Sequence, residues 1–185
     1  MKKKTIGVFV GSLREGSYNK SVAKHLARIA PEGFELKFLD IGQLPLYNQD
    51  LDENPPEAWV RFRSDVKALD GFLFVTPEYN RSFPAALKNA LDVASRPYGQ
   101  SVWNGKPGAV VSVSIGASGA FGANHHLRQV LTFLNVPVMQ QPEAYIGSAG
   151  SSIDESGAIT SDGLKDFLKQ YMDAFVQWVN RFAAD

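Results

Sequence analysis

The sequence predicts an α/β protein: a doubly wound, five-stranded parallel sheet with helices on both faces. Three observations predict it. Residues 5–10, 71–75 and 109–113 are short, apolar and rich in β-branched or aromatic side chains, as strands buried on both faces require. Each run passes through a loop of Gly, Ser, Pro or Asn toward a further element, the punctuation expected between strand and helix. The first of these loops, Val10-Gly11-Ser12-Leu13-Arg14-Glu15-Gly16-Ser17-Tyr18-Asn19, collects glycines, hydroxyls, an amide and an arginine where a helix begins. Unpaired N–H groups at that point attract an anion.

The elements follow in order. After the strand at 5–10, Ala23, Leu26, Ala27 and Ala30 recur at helical spacing. Phe34-Glu35-Leu36-Lys37-Phe38-Leu39 alternates as an exposed-edge second strand does, and Trp59, Phe62, Val66 and Leu69 mark one face of a second helix. The third strand, 71–75, ends in Thr76-Pro77-Glu78-Tyr79-Asn80-Arg81-Ser82-Phe83-Pro84 before a helix over 85–95. A fourth strand, 109–113, runs into a loop of small residues, 114–122, and a fourth helix, a fifth strand and a fifth helix complete the alternation. In the last helix Leu164, Phe167, Leu168, Tyr171, Phe175, Trp178, Val179 and Phe182 form a wide apolar stripe, expected to face the core rather than a ligand.

Composition narrows the function. A chain of 185 residues, 44% hydrophobic, buries a substantial core, and with no Pro/Gly/Ser-rich linker it is expected to form one domain over 1–185. Lys+Arg and Asp+Glu both number 19, so no net positive field gathers nucleic acid or anionic membrane, and Lys2-Lys3-Lys4 serves to solubilise the start of the first strand. The apolar stretch after those lysines is short for a secretory signal, and no run suits a bilayer span, so a cytoplasmic protein is expected. With no cysteine, thiol relays, disulfides, iron–sulfur ligation and thiolate zinc are excluded. Redox chemistry here requires a bound organic cofactor.

The loops suggest which one. Gly11 and Gly16 have P-loop spacing, but Ser17-Tyr18 stands where Lys and a hydroxyl residue would reach a β/γ-phosphate and Mg²⁺. The middle glycine of a dinucleotide fingerprint is also missing, and Leu13 would crowd a pyrophosphate. A single phosphate monoester fits better. In a doubly wound sheet the loops after strands one and three meet at the topological switch point. There Tyr79 and Asn80 offer an aromatic face and amide contacts to a planar ring, and the small residues after strand four let backbone approach its other edge. Three such loops describe a flavin site.

The pairing of Gly-Ser-Leu-Arg-x-x-Ser-x-Asn (Gly11 to Asn19) with Thr-Pro-Glu-Tyr-Asn-x-Ser (Thr76 to Ser82), then Leu87-Lys88-Asn89-Ala90-Leu91-Asp92, resembles the NAD(P)H-dependent FMN reductase family, which includes quinone, chromate and azo-dye reductases. The similarity continues through Gly105-Lys106-Pro107 and His126-Leu127-Arg128-Gln129. The resemblance implies a flavodoxin-like three-layer fold with strand order 2-1-3-4-5. It implies that Ser12, Arg14, Ser17, Tyr18 and Asn19 surround the FMN phosphate. Pro77, Glu78, Tyr79 and Asn80 would line the isoalloxazine, with Val113, Ser114 and Gly116 on its pyrimidine side and Arg81 and Ser82 toward the substrates. One departure stands out: many relatives carry Gly-Gly-x-Arg before the fourth helix, whereas Gly119-Ala120-Phe121-Gly122 has no arginine.

The family chemistry assigns the difficult step to the flavin, which takes hydride from NADPH or NADH, and gives the protein the work of orientation and charge stabilisation. With no second nucleotide fingerprint, donor and acceptor are expected to occupy one place in turn, a ping-pong scheme. Glu78 offers a general acid for a quinone, but beside Arg81 it is expected to order its loop. Arg81 either steers the phosphates of the donor or is a solvated rim charge. His125 and His126, adjacent on a helix, diverge by about 100° and are not expected to share a metal. A homodimer or homotetramer is expected from the resemblance and from Arg96-Pro97-Tyr98 with Trp103, an aromatic and arginine cluster of interface type. The competing reading is a flavodoxin-type carrier of single electrons, which commonly docks through an acidic surface; this chain is neutral.

Overall fold

In the computed structural model, which describes residues 3–182, strands and helices alternate along the chain. β1 (Lys4–Val10), β2 (Phe34–Phe38), β3 (Gly71–Thr76), β4 (Gly108–Val113) and β5 (Ala144–Ile146) form one parallel sheet in the order β2-β1-β3-β4-β5. The helices are α1 (Tyr18–Ile29), α2 (Glu57–Lys67), α3 (Ala85–Ala94), α4 (Phe121–Phe133) and α5 (Asp162–Arg181). This is the flavodoxin-like arrangement expected. Of the lysine tract, Lys2 lies outside the described residues, Lys3 pairs with Glu35 of β2 at 2.9 Å, and Lys4 opens β1.

Because side chains alternate across a strand, β1, β3 and β4 feed two cores. Ile6, Val8, Leu73, Val75, Ala109 and Val111 point to one face, where Val22 and Leu26 of α1 and Leu168, Tyr171 and Phe175 of α5 cover them. Phe9, Phe72, Phe74 and Val110 point to the other, beneath α2, α3 and α4. The first core is mainly aliphatic. The second is built on aromatic contacts, with Phe9 stacked on Phe74 at 5.2 Å and Trp103 edge-on to Phe72 at 4.9 Å between centroids.

That packing corrects the expectation for Trp103. Its side chain is fully buried and its indole N–H donates to the Leu91 carbonyl at 3.0 Å, so it belongs to the core and presents nothing to a second subunit. Arg96 lies over the Tyr47 ring at 5.7 Å, and only Tyr98 of the cluster, 87% exposed, stays outward. The apolar stripe of α5 also ends sooner than expected: Val179 is buried, but Phe182 is exposed against Trp178. Tyr171 donates its hydroxyl to the Val110 carbonyl at 3.0 Å, and complete burial pushes its phenol above the ordinary range, which makes it a core hydrogen bond rather than an acid. No described helix is long and apolar enough to cross a membrane.

The sheet register sets the site. Val10 lies beside Val75, Thr76 beside Ser112, and Val113 beside Ile146, so the loops after β1, β3 and β4 leave the sheet next to one another.

Candidate functional site

The loop after β1 enters α1 through an N-cap. Ser17 is extended, is nearly buried, and accepts from the Lys20 N–H at 3.4 Å. The N–H groups of Tyr18 and Asn19 in the first turn have no helical acceptor. Asn19 is 5% exposed; its Nδ2 donates to the Val113 carbonyl at 3.4 Å, while its buried Oδ1 meets no hydrogen-bond partner among the described residues. A buried acceptor left unpaired costs about 1–3 kcal/mol, and Asn19 Oδ1 shares this state with Asp52 Oδ1, Arg63 Nη2, Ser101 Oγ and Arg128 Nη2 among the described residues. Ser12 is also nearly buried. Arg14 is exposed, its guanidinium 5.8 Å from the Tyr18 ring centroid. An open cleft of about 310 Å³ runs along the loop past Arg14, Ser17, Tyr18, Lys20 and Lys24. Lys20, which the sequence did not single out, donates its Nζ to the Leu13 carbonyl at 3.1 Å and brings a second cation beside the loop.

The loop after β3 is built differently. Tyr79 and Ser82 exchange backbone hydrogen bonds at 2.8 and 3.0 Å across a two-residue turn. Its central residues, Asn80 at φ 51° and Arg81 at φ 69°, are both left-handed, a turn that ordinarily takes glycine. Asn tolerates this conformation and Arg does so at a cost. Neighbours hold the turn in place. Arg81 Nη1 donates to Glu78 Oε1 at 3.2 Å, the Ala123 N–H of α4 donates to Glu78 Oε2 at 3.1 Å, and Ser82 Oγ is bonded to His126 Nδ1 at 2.8 Å. Tyr79 leaves half of its surface exposed at the rim. The structure thus brings Glu78 to the site as an ordering carboxylate and commits the Ser82 hydroxyl to His126, while the Arg81 side chain remains 87% exposed.

The loop after β4 bends through two successive left-handed residues, Gly119 at φ 60° and Ala120 at φ 59°. A Cβ on Gly119 would fall 2.5 Å from the Tyr145 carbonyl carbon, so only glycine fits. Ser114 Oγ accepts from the Gly116 N–H at 2.9 Å, and Ser114 N–H donates to the Ile146 carbonyl at 2.9 Å. Val113 is nearly buried, so its side chain belongs to the core and its carbonyl is what meets Asn19. Beneath the bend lies a buried polar chain that sequence reasoning missed. Ser112 Oγ donates to the Gly119 carbonyl at 2.7 Å, Asn124 Nδ2 donates to Ser112 Oγ at 3.2 Å, and Arg128 Nε donates to Asn124 Oδ1 at 2.9 Å. Its signal was a serine inside an otherwise apolar strand and an asparagine on the apolar face of a helix.

The loops touch directly. Gly11 N–H donates to the Val75 carbonyl at 2.9 Å, and a Cβ at Gly11 would lie 3.3 Å from both Pro77 and Pro84. His125 and His126 diverge as expected: His126 serves Ser82, while His125 Nε2 is bonded to the Tyr145 hydroxyl at 2.8 Å. Burial, with Glu143 beside it, pushes the Tyr145 phenol up to about 12. No group of three metal-ligating side chains occurs among the described residues.

Residues 5–151 match the family described as NADPH-dependent FMN reductase. The chain is 57% identical over 176 residues to a quinone reductase of Pseudomonas putida, covering 95% of this chain and 94% of that protein. It is 51% identical over 174 residues to a 2-hydroxy-1,4-benzoquinone reductase of a Burkholderia species, covering 94% of this chain and 95% of that one. Among solved structures, the flavoenzyme NAD(P)H:(acceptor) oxidoreductase of Paracoccus denitrificans superposes with a TM-score of 0.91 at 41% identity, over 98% of this chain and all of the other. By sequence and by fold, the chain belongs to the NADPH-dependent FMN reductase family.

Proposed function

We propose that this protein is an FMN-dependent oxidoreductase that passes hydride equivalents from NADPH or NADH to quinones in a ping-pong cycle. One observation carries the reading: Asn19 Oδ1, beside the loop after β1, is buried without a partner among the described residues, while Glu78 and Ser82 of the neighbouring loop are paired within the protein. A phosphorylated ribityl chain supplies the missing hydroxyl donors and the anion. Ser12, Arg14, Ser17, Tyr18 and Asn19 hold that end. Pro77, Glu78, Tyr79 and Asn80 line the ring, and Val113, Ser114 and Gly116 meet its polar edge through backbone.

Bound FMN supplies the hydride-accepting chemistry. The chain positions it, leaves a rim of Tyr79, Arg81 and Ser82 open to one small molecule at a time, and keeps fixed dipoles around it. Quinones are favoured as acceptors by the names of the relatives above 50% identity. We further propose a homodimer or homotetramer, to which exposed apolar side chains such as Tyr98, Ile115, Phe121 and Phe133 are available. A monomer in sedimentation at micromolar concentration would remove that part.

The deciding experiment loads the protein with FMN and follows its visible absorption anaerobically as NADPH, then NADH, is added. Stoichiometric bleaching followed by recovery on addition of a quinone, with parallel double-reciprocal lines in steady state, is the expected result. Bound flavin that neither nucleotide bleaches would turn the reading to a carrier, and failure to bind FMN would overturn the site.

A further inference from the structure

We propose that Glu78 is a positioning residue that locks the loop after β3 to the N-terminus of α4, so that the two walls of the site move as one body. Ala120, at the N-cap of α4, has no side-chain group to cap the helix. The acceptor comes instead from 45 residues away: Glu78 Oε2 takes the Ala123 N–H at 3.1 Å, where a carboxylate also complements the helix dipole. Its other oxygen takes Arg81 Nη1 at 3.2 Å and so braces the left-handed turn at Asn80 and Arg81. A single carboxylate therefore holds both strained segments, with its side chain only 13% exposed.

Position 122 shows the same coupling from the other side. A Cβ on Gly122 would lie 3.0 Å from Glu78 Oε2 and 3.3 Å from the Arg81 carbonyl. A side chain at 122 would press on the carboxylate where it reaches the helix, and glycine leaves that contact free. The guanidinium beside Glu78 belongs to Arg81 of the same loop. Ser82 and His126 form a second tie between the same two elements at 2.8 Å, so the loop is pinned to α4 at both of its ends.

The consequence for ligand binding rests on the FMN reading above; the coupling itself does not. It is tested on the full chain by amide hydrogen exchange before and after FMN is added, in Glu78→Ala, Glu78→Gln and Gly122→Ala. Without FMN, Glu78→Ala is expected to speed exchange by about ten-fold or more both at residues 79–82 and at Ala123 and its neighbours, the scale of a lost hydrogen bond to a charged group. Glu78→Gln keeps an acceptor for Ala123 and is expected to preserve protection there. Gly122→Ala, with Glu78 intact, is expected to loosen the loop after β3. Faster exchange confined to residues 79–82 in Glu78→Ala, or a Glu78→Gln that behaves as Glu78→Ala at Ala123, would overturn the proposal.

With FMN, the affinity of Glu78→Ala is expected to fall about ten-fold and that of Glu78→Gln about three-fold or less. Wild-type affinity in Glu78→Ala would overturn the positioning role. A wild-type chain that binds no FMN while showing the exchange pattern would remove the function proposed above and leave the coupling standing.

Discussion

The loop after β1 and the loop after β3 leave neighbouring strands at the same edge of the sheet, and they treat their polar groups in opposite ways. The first is capped conventionally, Ser17 Oγ accepting from the Lys20 N–H, and leaves Asn19 Oδ1 buried without a partner among the described residues. The second spends nearly everything on itself, with Glu78, Arg81 and Ser82 all paired within the protein around a turn that is strained at Asn80 and Arg81. The difference is one of spare against spent bonding capacity: one loop leaves a buried acceptor unmet, and the other braces two left-handed residues with side-chain bonds.

Substitutions sharpen the contrast, beginning with the largest effect. Gly119→Val is expected to cost at least about 3 kcal/mol in a urea unfolding curve, because its Cβ would collide with the Tyr145 backbone and its φ would be strained. Asn19→Ala is expected to weaken FMN binding by about 1–3 kcal/mol in a fluorescence titration while leaving the unfolding midpoint nearly unchanged, since an unpaired buried acceptor leaves with the side chain. Arg14→Ala should follow it with a similar or smaller loss of FMN affinity that shrinks as salt is added. If both variants bind FMN as wild type does, the loop after β1 is not the recognition loop and the contrast collapses.

Arg81→Gly acts in the other loop and is expected to raise unfolding stability by about 0.5–1 kcal/mol by relieving a left-handed arginine, more than its exposed ion pair contributes. A loss of stability there would mean that the ion pair outweighs the strain. The smallest effect is a pH dependence within α1. Burial first, then Arg28 and Lys165, lower the His25 pKa below 6.5, so the unfolded chain binds the proton more readily. Stability is therefore full above that value and declines as pH falls from about 6.5 toward the folded pKa. A His25→Gln variant with the same slope as wild type over that window would exclude His25 as the source.

Much of this was legible along the chain. The strands at the centre of the sheet were readable because burial on both faces leaves continuous apolar runs, and the strand-to-helix loop before α1 was readable because cap, glycine and hydroxyl residues follow a strand within ten positions. β5 was not located, since three residues, Ala144–Ile146, are too few to carry a period. Trp103 looked like an interface residue because its neighbours Arg96 and Tyr98 are of that type, and only the aromatic core formed by Phe9, Phe72 and Phe74 reveals where it goes.

The sequence by itself determined the alternation of elements, the two-sided burial of the sheet and the chemistry offered at its edge, because these depend on periodicity and on residues close in the chain. Only the tertiary structure decided how that chemistry is divided. Glu78 meets Ala123 across 45 residues, Ser82 meets His126 across 44, and Asn19 meets Val113 across 94. Each contact exists because the strand register sets three loops side by side, and register is a property of the assembled sheet rather than of any local stretch.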